Sequence, residues 1–164
     1  HSFPTRRSSD LPLAYSYEFY IEDSIFRRKI YQPEHKGKFG KWWSNGGKIC
    51  QGEGMLPYSG NLLIVTKALK DIMCLYEANY TAIAPPSEEN FFPDGYIEKQ
   101  KSRFERIVCL FDNDQSGVKR SKIFSEKYNI PYILIPEVYK SKDFSDLIMN
   151  VGKEKANKII QELL

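Results

Sequence analysis

Cysteine and histidine are scarce in this chain of 164 residues, which has three cysteines, Cys50, Cys74 and Cys109, and two histidines, His1 and His35. Cysteines so widely separated offer neither a disulfide framework nor the paired spacing of a zinc site. Cys74 and Cys109 lie inside apolar runs and are expected to be small core residues. His35 sits in a charged loop and His1 in the leading segment, so neither is placed as a base or a ligand. No Gly-x-Ser-x-Gly elbow and no Walker A loop occurs, which leaves acyl transfer and P-loop hydrolysis without support. No apolar run has the length of a bilayer span, and no secretory leader pattern is present. A cytoplasmic protein with no membrane partner is the expectation.

Hydrophobic residues make up 41% of the chain and aromatics 14%, enough to build a packed core and to exclude disorder as the dominant state. The net charge of +3 is unevenly spread. Between Ser24 and Ile49 stand seven basic residues (Arg27, Arg28, Lys29, Lys36, Lys38, Lys41 and Lys48) against one acid, Glu34, so this stretch carries +6 and the remainder −3. Phe26, Tyr31, Phe39, Trp42 and Trp43 are interleaved with those charges. Cations mixed with aromatics suit a surface that follows phosphates and stacks bases, and equally suit a solvated basic hairpin over buried rings. Arg27, Arg28, Lys38, Lys41 and Trp42 are the candidate nucleic-acid contacts in this stretch.

Residues 15–32 are rich in aromatic and β-branched types, with a turn near Glu22–Ser24, and read as a hairpin. Residues 33–60 are rich in Gly, Pro, Ser and Asn and read as loops with short pieces. From Asn61 the texture changes. NLLIVT (61–66), YTAIA (80–84), RIVCLF (106–111) and PYILI (131–135) are short apolar runs of the kind found in buried parallel strands. Between and after them, helices are expected over 68–78, 96–105, 116–128, 143–150 and 152–163, the first stopped by Asn79. Strands alternating with helices imply right-handed crossovers and a parallel sheet, whose ligands sit beyond the carboxyl ends of the strands. The residues just past the four strand ends are Thr66–Asp71, Ser87–Glu88, Asp112–Asp114 and Glu137–Asp143. Polar chemistry therefore converges on one edge.

The sharpest motif is Asp112-Asn113-Asp114-Gln115-Ser116-Gly117, directly after the third run. Two carboxylates two residues apart at a strand end can face one Mg²⁺, which favours one or two carboxylates with water and phosphate oxygens. Gly117 allows a tight turn into the next helix. The competing reading is that these acids cap that helix.

An apolar strand, Asp-x-Asp-x-x-Gly and a helix resemble the second half of the Toprim signature, found in DNA primases, type IA and type II topoisomerases and some nucleases. The first half, a strand followed by Glu-Gly-x-x-Asp, corresponds to Lys67-Ala68-Leu69-Lys70-Asp71: Asp71 matches, whereas Lys67 replaces the Glu and Ala68 the Gly. Lys142-Asp143-x-x-Asp146 is similar to the Lys-Asp-x-x-Asp segment of primase Toprim domains. Upstream, KIYQP, KWWSN and CQGEGMLP resemble the basic subdomain that precedes Toprim in bacterial and bacteriophage primases. HSFPTRRSSDL (1–11) resembles translated sequencing-adapter read-through and is expected to be a non-native leader.

The resemblance implies an α/β chain with a Toprim (Rossmann-like) parallel sheet of about four strands flanked by helices over 61–164, preceded by a small basic β-hairpin subdomain over 12–60. It implies Mg²⁺ or Mn²⁺ on Asp112, Asp114 and Asp143, with Asp71 and Glu88 completing a catalytic set of Asp71, Asp112, Asp114 and Glu88. Lys67 and Lys142 would hold phosphates. The reaction it implies is primer synthesis, with single-stranded DNA, nucleoside triphosphates and a replicative helicase as partners in a bacterial or phage-infected cell. Lys67 leaves three readings open: a lysine that neutralises phosphate, a domain that binds nucleic acid without chemistry, or a carboxylate supplied instead by Glu88. A Toprim nuclease is a further alternative.

Overall fold

A computed structural model describes residues 14–21, 25–36, 41–44, 50–86 and 91–164. The chain divides into two compact units, His1–Gly47 and Lys48–Leu164.

In the first unit, β1 (Tyr15–Ile21), β2 (Ile25–Tyr31) and β3 (Trp42–Ser44) form an antiparallel sheet in that order. The expected hairpin is β1–β2, with Tyr15 opposite Tyr31 and Ile21 opposite Ile25. The Tyr15 and Tyr31 rings stack with centroids 6.3 Å apart, an offset pairing that favours this register. β3 falls in the region read as loops and short pieces, and pairs Trp42 with Tyr31.

The second unit is built on β4 (Gly60–Val65), flanked by β5 (Ala82–Ile83) and β6 (Phe104–Cys109), all parallel, in the order β5-β4-β6. Val65 stands level with both Ile83 and Cys109, so the three carboxyl ends are flush at one edge. Alternation along the strands divides the core in two. Leu63, Val65, Ile83, Ile107 and Cys109 pack with Ile97 of α2 (Tyr96–Lys101) and with Phe124 and Tyr128 of α3 (Gln115–Tyr128). Ile64, Ala82 and Leu110 pack with Ile72 and Leu75 of α1 (Leu69–Glu77), Phe144 and Leu147 of α4 (Phe144–Val151), and Ile160 of α5 (Lys153–Leu163). The central strand is therefore covered on both faces, which explains its unbroken apolar run. Leu63, Ile64 and Val65 are wholly buried, each contributing roughly 1.5–3 kcal/mol by leaving water.

Several boundaries differ from expectation: β5 is confined to Ala82–Ile83 within the 80–84 run, and β6 ends at Cys109, two residues before the end of its run. β6 begins at Phe104, where the short helix α2 was expected to continue, because Phe104 is itself buried against the core beside Ile97. The fourth apolar run, 131–135, is attached to β6 only at Cys109, whose N–H donates to Pro131 and whose carbonyl accepts from Ile133. Pro131 lacks the N–H that would carry this pairing on toward Ile107, and the run meets the sheet at one bridge, Cys109 with Tyr132. Asn79 stops α1 as expected, in the left-handed conformation with φ 64°. Among the described residues, no helix is long and apolar enough to cross a membrane.

Candidate metal centre

Three acids converge at the flush carboxyl edge. Asp71 lies in the first turn of α1, after β4; Asp112 lies in the loop after β6; Asp143 is the N-cap of α4, after the marginal run. One carboxylate oxygen from each lies within 4.8 Å of the others, and all three residues are buried. Their positions follow from the loops. Asn113 ties two of those loops together, its N–H donating to the Lys142 carbonyl and its side-chain amide to the Ile135 carbonyl at 2.7 Å. Asp143 Oδ1 accepts from the Asp146 N–H at 2.7 Å, which fixes its rotamer as a cap.

Two lysines meet these acids. Lys67 Nζ lies 3.0 Å from Asp112 Oδ2, and Lys70 Nζ 2.9 Å from Asp143 Oδ2. Lys67 is 23% exposed and Lys70 54%, so the first is held in the site and the second reaches in from its rim. Asp71 has neither. Its Oδ1 is buried and makes no hydrogen bond. Burial, then the Asp143 charge, push its carboxyl up to about 7, against the pull of Lys70 and of a backbone hydrogen bond from Ser145. Burial also raises Asp112, countered chiefly by the Lys67 hydrogen bond. Burial would lower Lys70, but the hydrogen bond and charge of Asp143 outweigh it and the net shift is upward.

Of the residues singled out by sequence, Asp71, Asp112, Asp143 and Lys67 come together. Asp114 stands outside the group of three. It is exposed and caps α3, its Oδ1 accepting from the Gly117 N–H at 2.7 Å. Lys142 is exposed beside Asp143. Arg27 and Arg28 lie in β2, Trp42 begins β3, and Lys41 is exposed just before it, all in the first unit. Glu88 and Lys38 lie outside the described residues. Sequence reading missed Lys70 and Asn113. The available signal for Lys70 was its place one residue before Asp71 in a helix first turn; for Asn113 it was an amide between two acids in a strand-end loop.

An open parallel sheet with helices on both faces and an acid cluster beyond its carboxyl edge defines an α/β domain with a polar site at the position expected for such sheets. No family model and no curated protein matches the sequence. Solved structures do. The DnaG primase catalytic domain bound to ssDNA aligns with a TM-score of 0.65 at 14% identity, over 91% of this chain and 52% of that one. The E. coli primase catalytic core aligns with a TM-score of 0.61 at 14% identity, over 84% and 48%. A chain in the structure of bacteriophage T7 lagging-strand DNA polymerase interacting with primase domains of two gp4 subunits, bound to an RNA/DNA hybrid and dTTP, aligns with a TM-score of 0.62 at 14% identity, over 92% and 76%. The likeness is one of fold. This chain spans about half the length of the DnaG and E. coli chains.

Proposed function

We propose that this chain is a primase-like Toprim module that carries out metal-dependent nucleotidyl transfer on single-stranded DNA. The observation that carries the reading is the meeting of Asp71, Asp112 and Asp143 from three separate loops, with one buried Asp71 oxygen left without a partner. Leaving such an atom unpaired is costly unless something fills its place. An all-oxygen, carboxylate-rich set suits a hard cation such as Mg²⁺ or Mn²⁺. Asp71 and Asp143 would hold the ion with Asp112 beside them, and Asp114 would stand further out. When bound, the cation supplies charge neutralisation at the reacting phosphoryl group. The chain's own contribution would be positioning: Asn113 ties the strand-end loops together, and the Lys67 and Lys70 ammonium groups, held on Asp112 and Asp143, add positive charge to the edge that a triphosphate would approach. Single-stranded template and nucleoside triphosphates are the proposed partners, with a replicative helicase as an associated protein.

The test is primer synthesis on a single-stranded template with nucleoside triphosphates and Mg²⁺. The wild type is expected to extend primers, and Asp112→Asn to lose about ten- to a hundredfold, the cost of removing an outer partner of a metal site. Cleavage of DNA with Mg²⁺ and no triphosphates would instead identify a nuclease. One observation favours a second reading, binding without chemistry: the Lys67 ammonium rests on Asp112 where the Toprim signature has a carboxylate. Template binding by a wild type that neither synthesises nor cleaves would establish it.

The basic hairpin unit, proposed as a nucleic-acid contact, has its own test. Neutralising Arg27, Arg28, Lys38 and Lys41 together is expected to reduce the slope of log affinity against log salt by about 3, because each single-strand phosphate contact contributes roughly 0.7. An unchanged slope would reduce these residues to a solvated face.

A further inference from the structure

Lys67 occupies an unusual position for a surface cation. Its ammonium lies 3.0 Å from Asp112 Oδ2, on a carboxylate only 8% exposed, beside two more buried acids. Lys70 differs in being half in solvent and shared between Asp143 and, at 4.0 Å, Asp146. Asp143 is as buried as Asp112, so Lys70 leaves it at little cost only when an ion takes its place. Lys67, at 23% exposure, has less solvent to move into than Lys70 at 54%.

Resting on the metal reading above, we propose that the acidic centre takes a single divalent cation, with the Lys67 ammonium fixed in place of a second. Charge balance supports the count. With Lys70 displaced into solvent, the three carboxylates, once ionised, carry −3; Lys67 and one divalent ion restore neutrality, whereas two divalent ions beside Lys67 would leave an excess of +2. Buried charges tolerate no such excess without a compensating partner. Coordination points the same way. Asp71 Oδ1 is free of hydrogen bonds, and Asp143 Oδ2 becomes free when Lys70 swings out, so two acids are open to one ion. Asp112 remains with Lys67. The ammonium thus acts as a tethered monovalent cation beside Asp112.

The experiment is titration of the full chain with Mn²⁺ in the absence of nucleotide, counting bound ions by electron paramagnetic resonance and calorimetry. The wild type should bind one equivalent, and so should Lys67→Arg, which keeps the charge. Lys67→Met should bind two, with Asp112 released to the second ion. Lys67→Gln, which can still hydrogen-bond Asp112, carries the same expectation should Lys67→Met not fold. A wild type that binds two equivalents overturns the proposal and leaves the metal reading standing. So does a folded Lys67→Met or Lys67→Gln protein that still binds one. A wild type that binds none removes the metal reading itself, and this proposal with it.

Discussion

Replacing Asp71 by asparagine is expected to stabilise the metal-free protein at pH 8, with the gain shrinking to nothing near pH 4. The Asp71 carboxyl is raised from an ordinary 3.8 to about 7, first by burial and then by the neighbouring Asp143 charge. Between those two values the folded protein keeps a proton that the unfolded chain has released. Folding stability therefore falls as pH rises through this window and levels off above pH 7. About three pKa units correspond to a penalty of at most roughly 4 kcal/mol above pH 7, at about 1.36 kcal/mol per unit. Asparagine resembles the protonated acid in shape and never ionises, so it escapes the penalty. For a chain of this size the gain amounts to a rise in Tm on the order of 5–10 °C at pH 8. Millimolar Mn²⁺ should invert the order. An ion that binds only the folded wild type stabilises it by mass action, and the amide of the substituted side chain offers no charge to that ion. Melting curves at pH 4, 6 and 8, with and without Mn²⁺, decide the matter. A difference between the proteins that does not change with pH would show that Asp71 ionises as freely as an exposed acid.

β4 and β6 were legible in sequence because their apolar runs had the length and continuity of buried strands. The stripes of Ile72 and Leu75, and of Ala156, Ile159 and Ile160, had a helical period. The site was legible to the extent that it followed from the sheet rule. Residues past the ends of parallel strands meet, and Asp71, Asp112 and Asp143 do meet. What the pattern could not supply was the direction of side chains once the chain leaves the strand. Asp112 and Asp114 are two residues apart and would share a face in an extended strand. The strand ends at Cys109, however, and the loop turns before Asp114, which faces the first turn of α3 as its cap. The capping alternative thus describes Asp114, while Asp112 enters the acid cluster. Lys70 was invisible for a related reason. Its pairing with Asp143 spans 73 positions in sequence and depends on how α1 and α4 pack. The short apolar run at 131–135 predicts a full strand, yet it meets the sheet at one bridge, and Pro131 has no N–H with which to extend it toward Ile107.

Gly117→Ala is expected to lower Tm by roughly 5–10 °C and to displace Asp112 from the acid cluster. Alanine ordinarily stabilises a helix over glycine by about 1 kcal/mol, and position 117 lies inside α3. Local geometry reverses that preference. A methyl group at this position would overlap the Asp112 carbonyl oxygen and lie 2.7 Å from its carbonyl carbon and 2.9 Å from its Cβ. These are backbone and near-backbone atoms, with no flexible end to move aside. Either the first turn of α3 or the strand-end loop must shift. The loop is held through Asn113 to the Ile135 and Lys142 carbonyls, and the turn through the Gly117 N–H to Asp114. Overpacking against atoms so constrained costs about 3 kcal/mol or more, outweighing the propensity gain and corresponding to several degrees of Tm in a chain of this length. The last glycine of the Asp-x-Asp-x-x-Gly motif is therefore required by the closeness of Asp112 and by no unusual backbone angle. Thermal melting of Gly117→Ala without metal reads the stability effect. Mn²⁺ titration of the same protein reads the site, where affinity should fall by about tenfold or more, the loss expected when a ligand's supporting contacts are disturbed. A variant that melts at or above the wild type, with Mn²⁺ affinity unchanged, would show that the loop and helix separate freely and that this contact does not set the position of Asp112.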